Sequence, residues 1–175
     1  MIFQPTQLKG VFVIEPEFQH DERGYFSRIF CQNEFSRMGI EFIVRQASQS
    51  FNVNKGTLRG LHFQNDPAVE QKIVQCLRGA MYDVVVDLRK DSATYGKWIA
   101  EELTEKNKKK MFVPKGCAHG FQTLVDNTEV LYFMSEFYSP KQYAGLRWND
   151  PFLKIEWPLK NSVIVSAQDG QWPLL

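Results

Sequence analysis

The chain has 175 residues, the length of one domain (1–175), and with 43% hydrophobic and 23% charged residues it is neither disordered nor fibrous. Its 21 Lys and Arg balance 20 Asp and Glu, so no broad field draws it to nucleic acid or a membrane, and an anionic ligand would need a local cluster of cations. No basic segment followed by an apolar core opens the chain and no run of about 18 apolar residues occurs; with Cys31, Cys76 and Cys117 scattered and no CxxC pair, a cytoplasmic protein with free thiols is expected.

In chain order, short β-rich runs recur with turn residues between them: Val11–Glu15, Tyr25–Phe30, Ile43–Ser50, Thr57–Phe63, Gln71–Leu77 and Met81–Asp87. Trp98–Leu103, Lys110–Val113, Ala118–Leu124 and Glu129–Phe133 continue the series, which argues for an antiparallel sandwich or barrel. One short helix is predicted over Asn33–Gly39, with Asn33 as its cap and Gly39 as its end. Asn54-Lys55-Gly56 and Arg78-Gly79 read as hairpin turns. Lys106-Asn107-Lys108-Lys109-Lys110 reads as a solvated loop, and the Pro- and Trp-rich tail after Asp150 as a segment packing over a barrel.

Two histidines stand in structured surroundings. Gly56-Thr57-Leu58-Arg59-Gly60-Leu61-His62-Phe63-Gln64 puts His62 on a strand, and strand periodicity places residues 60, 62 and 64 on one face. Pro114-Lys115-Gly116-Cys117-Ala118-His119-Gly120-Phe121 reads as strand, tight turn, strand. The two segments resemble the paired motifs of the cupin superfamily. Metal-binding cupins place a second histidine two residues after the first; here that position is Gln64, which leaves only His62, His119 and Glu70 as a weak donor set, and no metal is expected.

Arg59, His62 and Lys72 lie on successive predicted strands, whose inward residues meet across a small barrel. Buried unpaired cations cost several kcal/mol each, so a cationic lumen implies a bound anion or a developing oxyanion. An imidazole of ordinary pKa about 6.5 is neutral at physiological pH and can accept a proton, especially when a carboxylate orients its other nitrogen.

The segments Asp21-Glu22-Arg23-Gly24, Gly56 to Gln64, Gln71-Lys72-Ile73-Val74, Asp83 to Arg89, Pro114 to Phe121, Leu131-Tyr132 and Trp148-Asn149-Asp150-Pro151 resemble the dTDP-4-dehydrorhamnose 3,5-epimerase family over nearly the whole chain. The resemblance implies an all-β, cupin-type jelly-roll barrel with short peripheral helices, and a homodimer with its N-terminal segment exchanged. It implies His62 as base, Asp169 as the carboxylate orienting it, Tyr132 as acid on the opposite face of the sugar and Lys72 at the C4 oxygen. Arg23, Arg59 and His119 would contact the substrate, a nucleotide-diphosphate 4-keto-sugar, and no cofactor is needed because the C4 ketone itself acidifies the neighbouring C–H bonds.

Some positions depart from the family. Arg28 stands where Glu commonly touches the nucleotide, Gln46-Ala47-Ser48-Gln49-Ser50 replaces a Gln-Asp-Asn-like string with Gln49 left to keep part of its role, Tyr143 stands in place of Glu, and Gln168 in place of Lys or Arg. Tyr138 and Phe26 are placed to stack on a base. These departures predict a retained reaction on a changed nucleotide or sugar. A 3,4-ketoisomerase, a metal-dependent cupin and a non-catalytic sugar-nucleotide-binding cupin are the alternatives.

Overall fold

The fold grows from period-two alternation along short strands. The computed structural model describes all 175 residues. Its elements are β1 (Ile2–Pro5), β2 (Phe12–Glu15), β3 (Phe18–Asp21), β4 (Gly24–Ser27), helix α1 (Gln32–Arg37), β5 (Gln46–Asn52), β6 (Leu58–Gln64), β7 (Lys72–Arg78), β8 (Ala80–Asp87), β9 (Trp98–Thr104), β10 (Lys110–Val113), β11 (Cys117–Thr123), β12 (Thr128–Met134), β13 (Tyr143–Gly145) and helix α2 (Ala167–Gln171). Six strands pair in the order β1-β2-β10-β7-β12-β5 and five in the order β13-β6-β11-β8-β9, while β3 and β4 pair only with each other. All pairs are antiparallel. The two sheets face each other as the expected all-β jelly roll.

Along β8 the alternation is plain. Val85 and Met81 point between the sheets, against Val74, Cys76, Met111 and Val130. Val84 and Val86 point the other way and pack with Leu58, Leu61, Leu153 and Trp157, so the chain after β13 covers the outer face of the five-stranded sheet. The outer face of the six-stranded sheet is covered by α1 and the segment after it, with Phe35, Ile40 and Phe42 on Ile14, Ile73 and Phe112. Phe35 and Phe42 meet Phe112 edge-on at 5.7 and 6.0 Å. All seven residues of β11 are buried, because both faces of that strand are covered. No helix is long and apolar enough to cross a membrane.

Several local expectations are corrected. Strand β5 starts at Gln46 rather than Ile43, and Ile43 and Val44 are exposed. Strand β4 ends at Ser27, short of Phe30. The residue capping α1 is Cys31, with no side-chain bond, and Asn33 lies inside the helix; Gly39 follows its end as predicted, with Gly39 N and Ile40 N donating to Ser36 O and Phe35 O. Lys110 belongs to β10 and is buried, while Lys109 pairs with Glu101, so the lysine run is only partly a solvated loop. Neither Asn54-Lys55-Gly56 nor Arg78-Gly79 closes a hairpin: each carries the chain from the six-stranded sheet to the five-stranded one. That crossing sets β6 and β7 on opposite walls.

Candidate active site

A cavity of about 350 Å³ lies between the sheets, a size suited to a small ligand. One wall carries Arg59, His62 and His119, from β6 and β11. The facing wall carries Ser48, Ser50, Lys72 and Tyr132, from β5, β7 and β12. Glu70, Tyr138 and Tyr143 complete the lining.

Arg59 and His62 are three residues apart, so strict alternation would point them to opposite faces. The pairing slips instead: His119 is opposite His62, but Phe121 is opposite Arg59. Gly60 lies within the slip at φ 134°, and a Cβ there would stand 2.5 Å from the Gly120 Cα. Two glycines facing each other let the backbones close and turn both side chains inward. Gln64 keeps to the face of His62, as expected: Phe63 between them packs on the outer core, and the Gln64 amide donates to Glu70 Oε2, Ala68 O and Phe137 O and accepts from Ser139 N.

His62 Nε2 lies 2.7 Å from Asp169 Oδ1, which leaves Nδ1 as the ring nitrogen without a protein partner. Asp169 reaches this place because Ser166 caps α2 by accepting from Asp169 N at 3.0 Å, and the carboxylate of that first turn swings to the imidazole. Burial is the largest influence on His62 and lowers its pKa, with Lys72 and His119 adding to the effect and Asp169 opposing it. Burial alone would raise Asp169, yet the bonds from His62, Gly60 N and Trp172 Nε1 hold it below the ordinary carboxylate range. The pair is therefore a neutral imidazole on an ionised carboxylate.

The opposite wall holds a buried phenol. The Tyr132 hydroxyl lies 3.0 Å from Ser50 Oγ, and burial pushes the phenol well above its usual value, Ser50 and Arg59 offsetting only part of it. Lys72 Nζ is 3.1 Å from Glu70 Oε1 and 3.4 Å from His62 O. Both side chains are 11% exposed, so this pair belongs to the cavity and not to the surface. Arg59 donates from Nε to Asn52 Oδ1 at 2.7 Å, which leaves its two terminal nitrogens for a ligand. His119 Nε2 lies 2.7 Å from Oδ1 of fully buried Asp83, whose carboxyl is raised by burial, His119 and Lys72 pulling the other way. His62, His119 and Glu70 thus each face a partner of their own, and no three His, Cys, Asp or Glu side chains gather to hold a metal.

Of the residues singled out from sequence, His62, Lys72, Tyr132, Arg59, His119, Tyr138 and Tyr143 meet at the cavity, and Asp169 stands behind His62. Gln168 is exposed on α2, beside a second recess that also touches His62 and Asp169. Four others lie outside, among them Phe26, exposed on β4. Gln49 is on the far face of β5, bonded to Glu129, because Ser48 and Ser50 take the cavity side. Arg28 pairs with Glu34 at 2.8 Å. Arg23 is in the β3–β4 turn, 85% exposed and paired with Asp21. Sequence reasoning missed Ser48, Ser50, Asp83, Glu70 as a cavity residue and Trp172, which donates to Asp169; only the alternation through Gln46, Ser48 and Ser50 was there to be read.

Residues 5–175 match the sequence profile of dTDP-4-dehydrorhamnose 3,5-epimerase. The dTDP-4-dehydrorhamnose 3,5-epimerase of Methanothermobacter thermautotrophicus is 42% identical over 172 residues, covering 97% of this chain and 92% of that one. The Bacillus anthracis enzyme of the same name, solved with TDP and PPi bound, superposes with a TM-score of 0.95 at 38% identity and covers 99% of both chains. A dTDP-6-deoxy-D-glucose-3,5-epimerase from Legionella pneumophila, in complex with dTDP-4-keto-L-rhamnose, gives 0.93 at 35% identity, covering 99% of this chain and 92% of that one.

Proposed function

The chain belongs to the dTDP-4-dehydrorhamnose 3,5-epimerase family, and on that premise we propose that it is an isomerase which inverts C3, C5 or both in a dTDP-linked 4-keto-6-deoxyhexose, with no cofactor. The observation that carries this reading is the pair of groups on facing walls: a neutral imidazole held by a carboxylate, and a phenol that keeps its proton.

Their chemistry follows. A C4 ketone acidifies the hydrogens at C3 and C5. His62 Nδ1 takes one of them, the electron pair moves onto the C4 oxygen, and the resulting enolate is met by the Lys72 ammonium. Tyr132 then delivers its proton to the other face of the same carbon, which inverts it, and imidazolium and phenolate return to their starting forms by exchange with solvent. Loss of one oxyanion donor costs about 2.7–4 kcal/mol of barrier in comparable sites. The free fork of Arg59 suits the diphosphate.

Two of the departures from the family lie outside the cavity of their own chain: Arg28 pairs with Glu34, and Ala47 alternates away from Ser48. With ligands of the deoxythymidine series in the two solved relatives, this favours dTDP over a changed nucleotide. Calorimetry with dTDP, GDP, CDP and UDP should give the tightest binding for dTDP; equal or tighter binding of another nucleotide returns the reading to a changed one. Incubation with dTDP-4-keto-6-deoxyglucose should yield an inverted product by NMR, and unchanged substrate contradicts the proposal.

The acid limb of the rate profile is also fixed in sign. Because burial lowers His62, kcat/KM should fall as the imidazole gains a proton, with a midpoint below about 6.5, the ordinary histidine value. A midpoint above that value in a pH–rate series would show that Asp169 outweighs burial.

The working unit is a homodimer with its N-terminal segment exchanged, each chain a single domain in a cytoplasmic setting that suits three free thiols. Supporting it, β3 and β4 pair with no other strand, expose Phe18, Tyr25 and Phe26, and hold Arg23 away from the cavity of their own chain. An exposed aromatic hairpin of this kind suits burial against a second copy.

A further inference from the structure

Asp169 is placed by the tail of the chain, and the tail is tied down on both sides of it. Before it, Leu58 N donates to Ile164 O at 2.8 Å and Ile164 N to Gly56 O at 2.9 Å. After it, Arg147 N donates to Pro173 O at 2.9 Å and Leu175 N to Asp150 Oδ2 at 2.7 Å. Between these anchors stands Trp172.

The indole Nε1 of Trp172 donates at 3.2 Å to Asp169 Oδ1, the same oxygen that meets His62 Nε2. Its ring stands edge-on to His62 at 6.3 Å and to Tyr143 at 5.6 Å. The ring fits because residue 145, the partner of His62 in the β13–β6 register, is glycine: a Cβ there would come 2.6 Å from indole Cε2 and Nε1. Trp172 lines neither the cavity nor the recess beside it. It is therefore close to the base but not to a ligand.

We infer that Trp172 is a positioning residue for the base, its N–H and ring locking Asp169 against His62, so that docking of the last residues of the chain sets the reactivity of the site. The inference rests on the reading of His62 as base. The indole N–H takes up part of the carboxylate charge, and the ring keeps water from the imidazole. Removing either leaves His62 more easily protonated: a carboxylate with one donor fewer attracts the imidazolium more strongly, and a better hydrated ring bears charge more readily. The other charged and titratable groups facing His62 are Lys72 and His119, which both act against protonation, and Tyr143. Of these, Tyr143 packs edge-on against the Trp172 ring, a contact that an aromatic replacement at 172 keeps.

The test follows the His62 ring by NMR titration, with His62→Asn identifying its signal, in the wild type, Trp172→Phe and Trp172→Ala. The Phe variant keeps a ring and lacks the donor; the Ala variant lacks both. The midpoint should rise by about 0.5 pH in the first and about 1 in the second, through fewer bonds to the carboxylate and less burial. The turnover number should fall about threefold and about tenfold as alignment loosens, with KM changed less than about twofold. Unchanged midpoint and unchanged kcat in Trp172→Phe overturn the inference, and that variant decides alone if the Ala form does not fold. A midpoint that moves while His62→Asn retains activity upholds the tail-to-imidazole link and overturns His62 as base, so the two failures are distinct.

Discussion

His62→Asn is expected to lower kcat by about a hundred- to ten-thousandfold, the usual contribution of a positioned acid or base. Asparagine preserves much of the size of the side chain and can still donate to Asp169, but it has no nitrogen that accepts a proton. Because His62 faces Asp169 through Nε2 and lies on the wall with Arg59, the change removes the proposed proton acceptor and leaves the proposed diphosphate contact of Arg59 in place. Steady-state kinetics beside calorimetry with dTDP check both halves: kcat collapses while the dissociation constant stays within about threefold, a difference under 1 kcal/mol. Turnover within tenfold of the wild type would remove His62 from the mechanism.

Tyr132→Phe should separate two events that the intact enzyme couples. The phenol is held protonated by burial and lies across the cavity from His62, so the variant still permits proton removal on the His62 side but has no donor on the other. Formation of the inverted product should fall about a hundred- to ten-thousandfold, while the substrate recovered from D₂O carries label at its original configuration. Ser50 loses its partner at 3.0 Å, a loss of about 1 kcal/mol in stability, small beside the catalytic effect. If inversion proceeds at the wild-type rate, the acid is another group.

The strands were legible where alternation ran long enough to see. Val84, Val85 and Val86 are divided between two cores by the strand period alone, and β8, β9 and β11 lie close to their expected places. Strands β1, β3 and β13 have three or four residues each and, unlike the equally short β2 and β10, lack a compact apolar run: β1 ends on Gln4-Pro5, β3 carries Gln19-His20-Asp21, and β13 is Tyr143-Ala144-Gly145. The histidine motifs were legible as motifs. What they could not disclose is which side chains share a wall, since that depends on register between strands distant in sequence.

Arg59 joins His62 only because β11 slips against β6 at Gly60 and Gly120. Ser48 rather than Gln49 faces the cavity because Ser48 is paired with Tyr132 across β5 and β12. Lys72 and Glu70 form a pair inside the cavity because the turns on either side of β6 and β7 change sheets. Asp169 was found through family resemblance, and its physical reason, a serine cap three residues earlier, is local. The Trp172 contact is the least legible of all: it needs Gly145, far away in the chain, to leave the space.

The central claim is that a proton leaves the sugar carbon beside the C4 ketone to His62 and another returns from solvent-exchanged Tyr132. Incubation of dTDP-4-keto-6-deoxyglucose in D₂O, followed by NMR, tests it most directly. The account predicts deuterium at C3, C5 or both in an inverted product with the wild type, and no label with His62→Asn. Inversion without label, or label at the wild-type rate in His62→Asn, would contradict it.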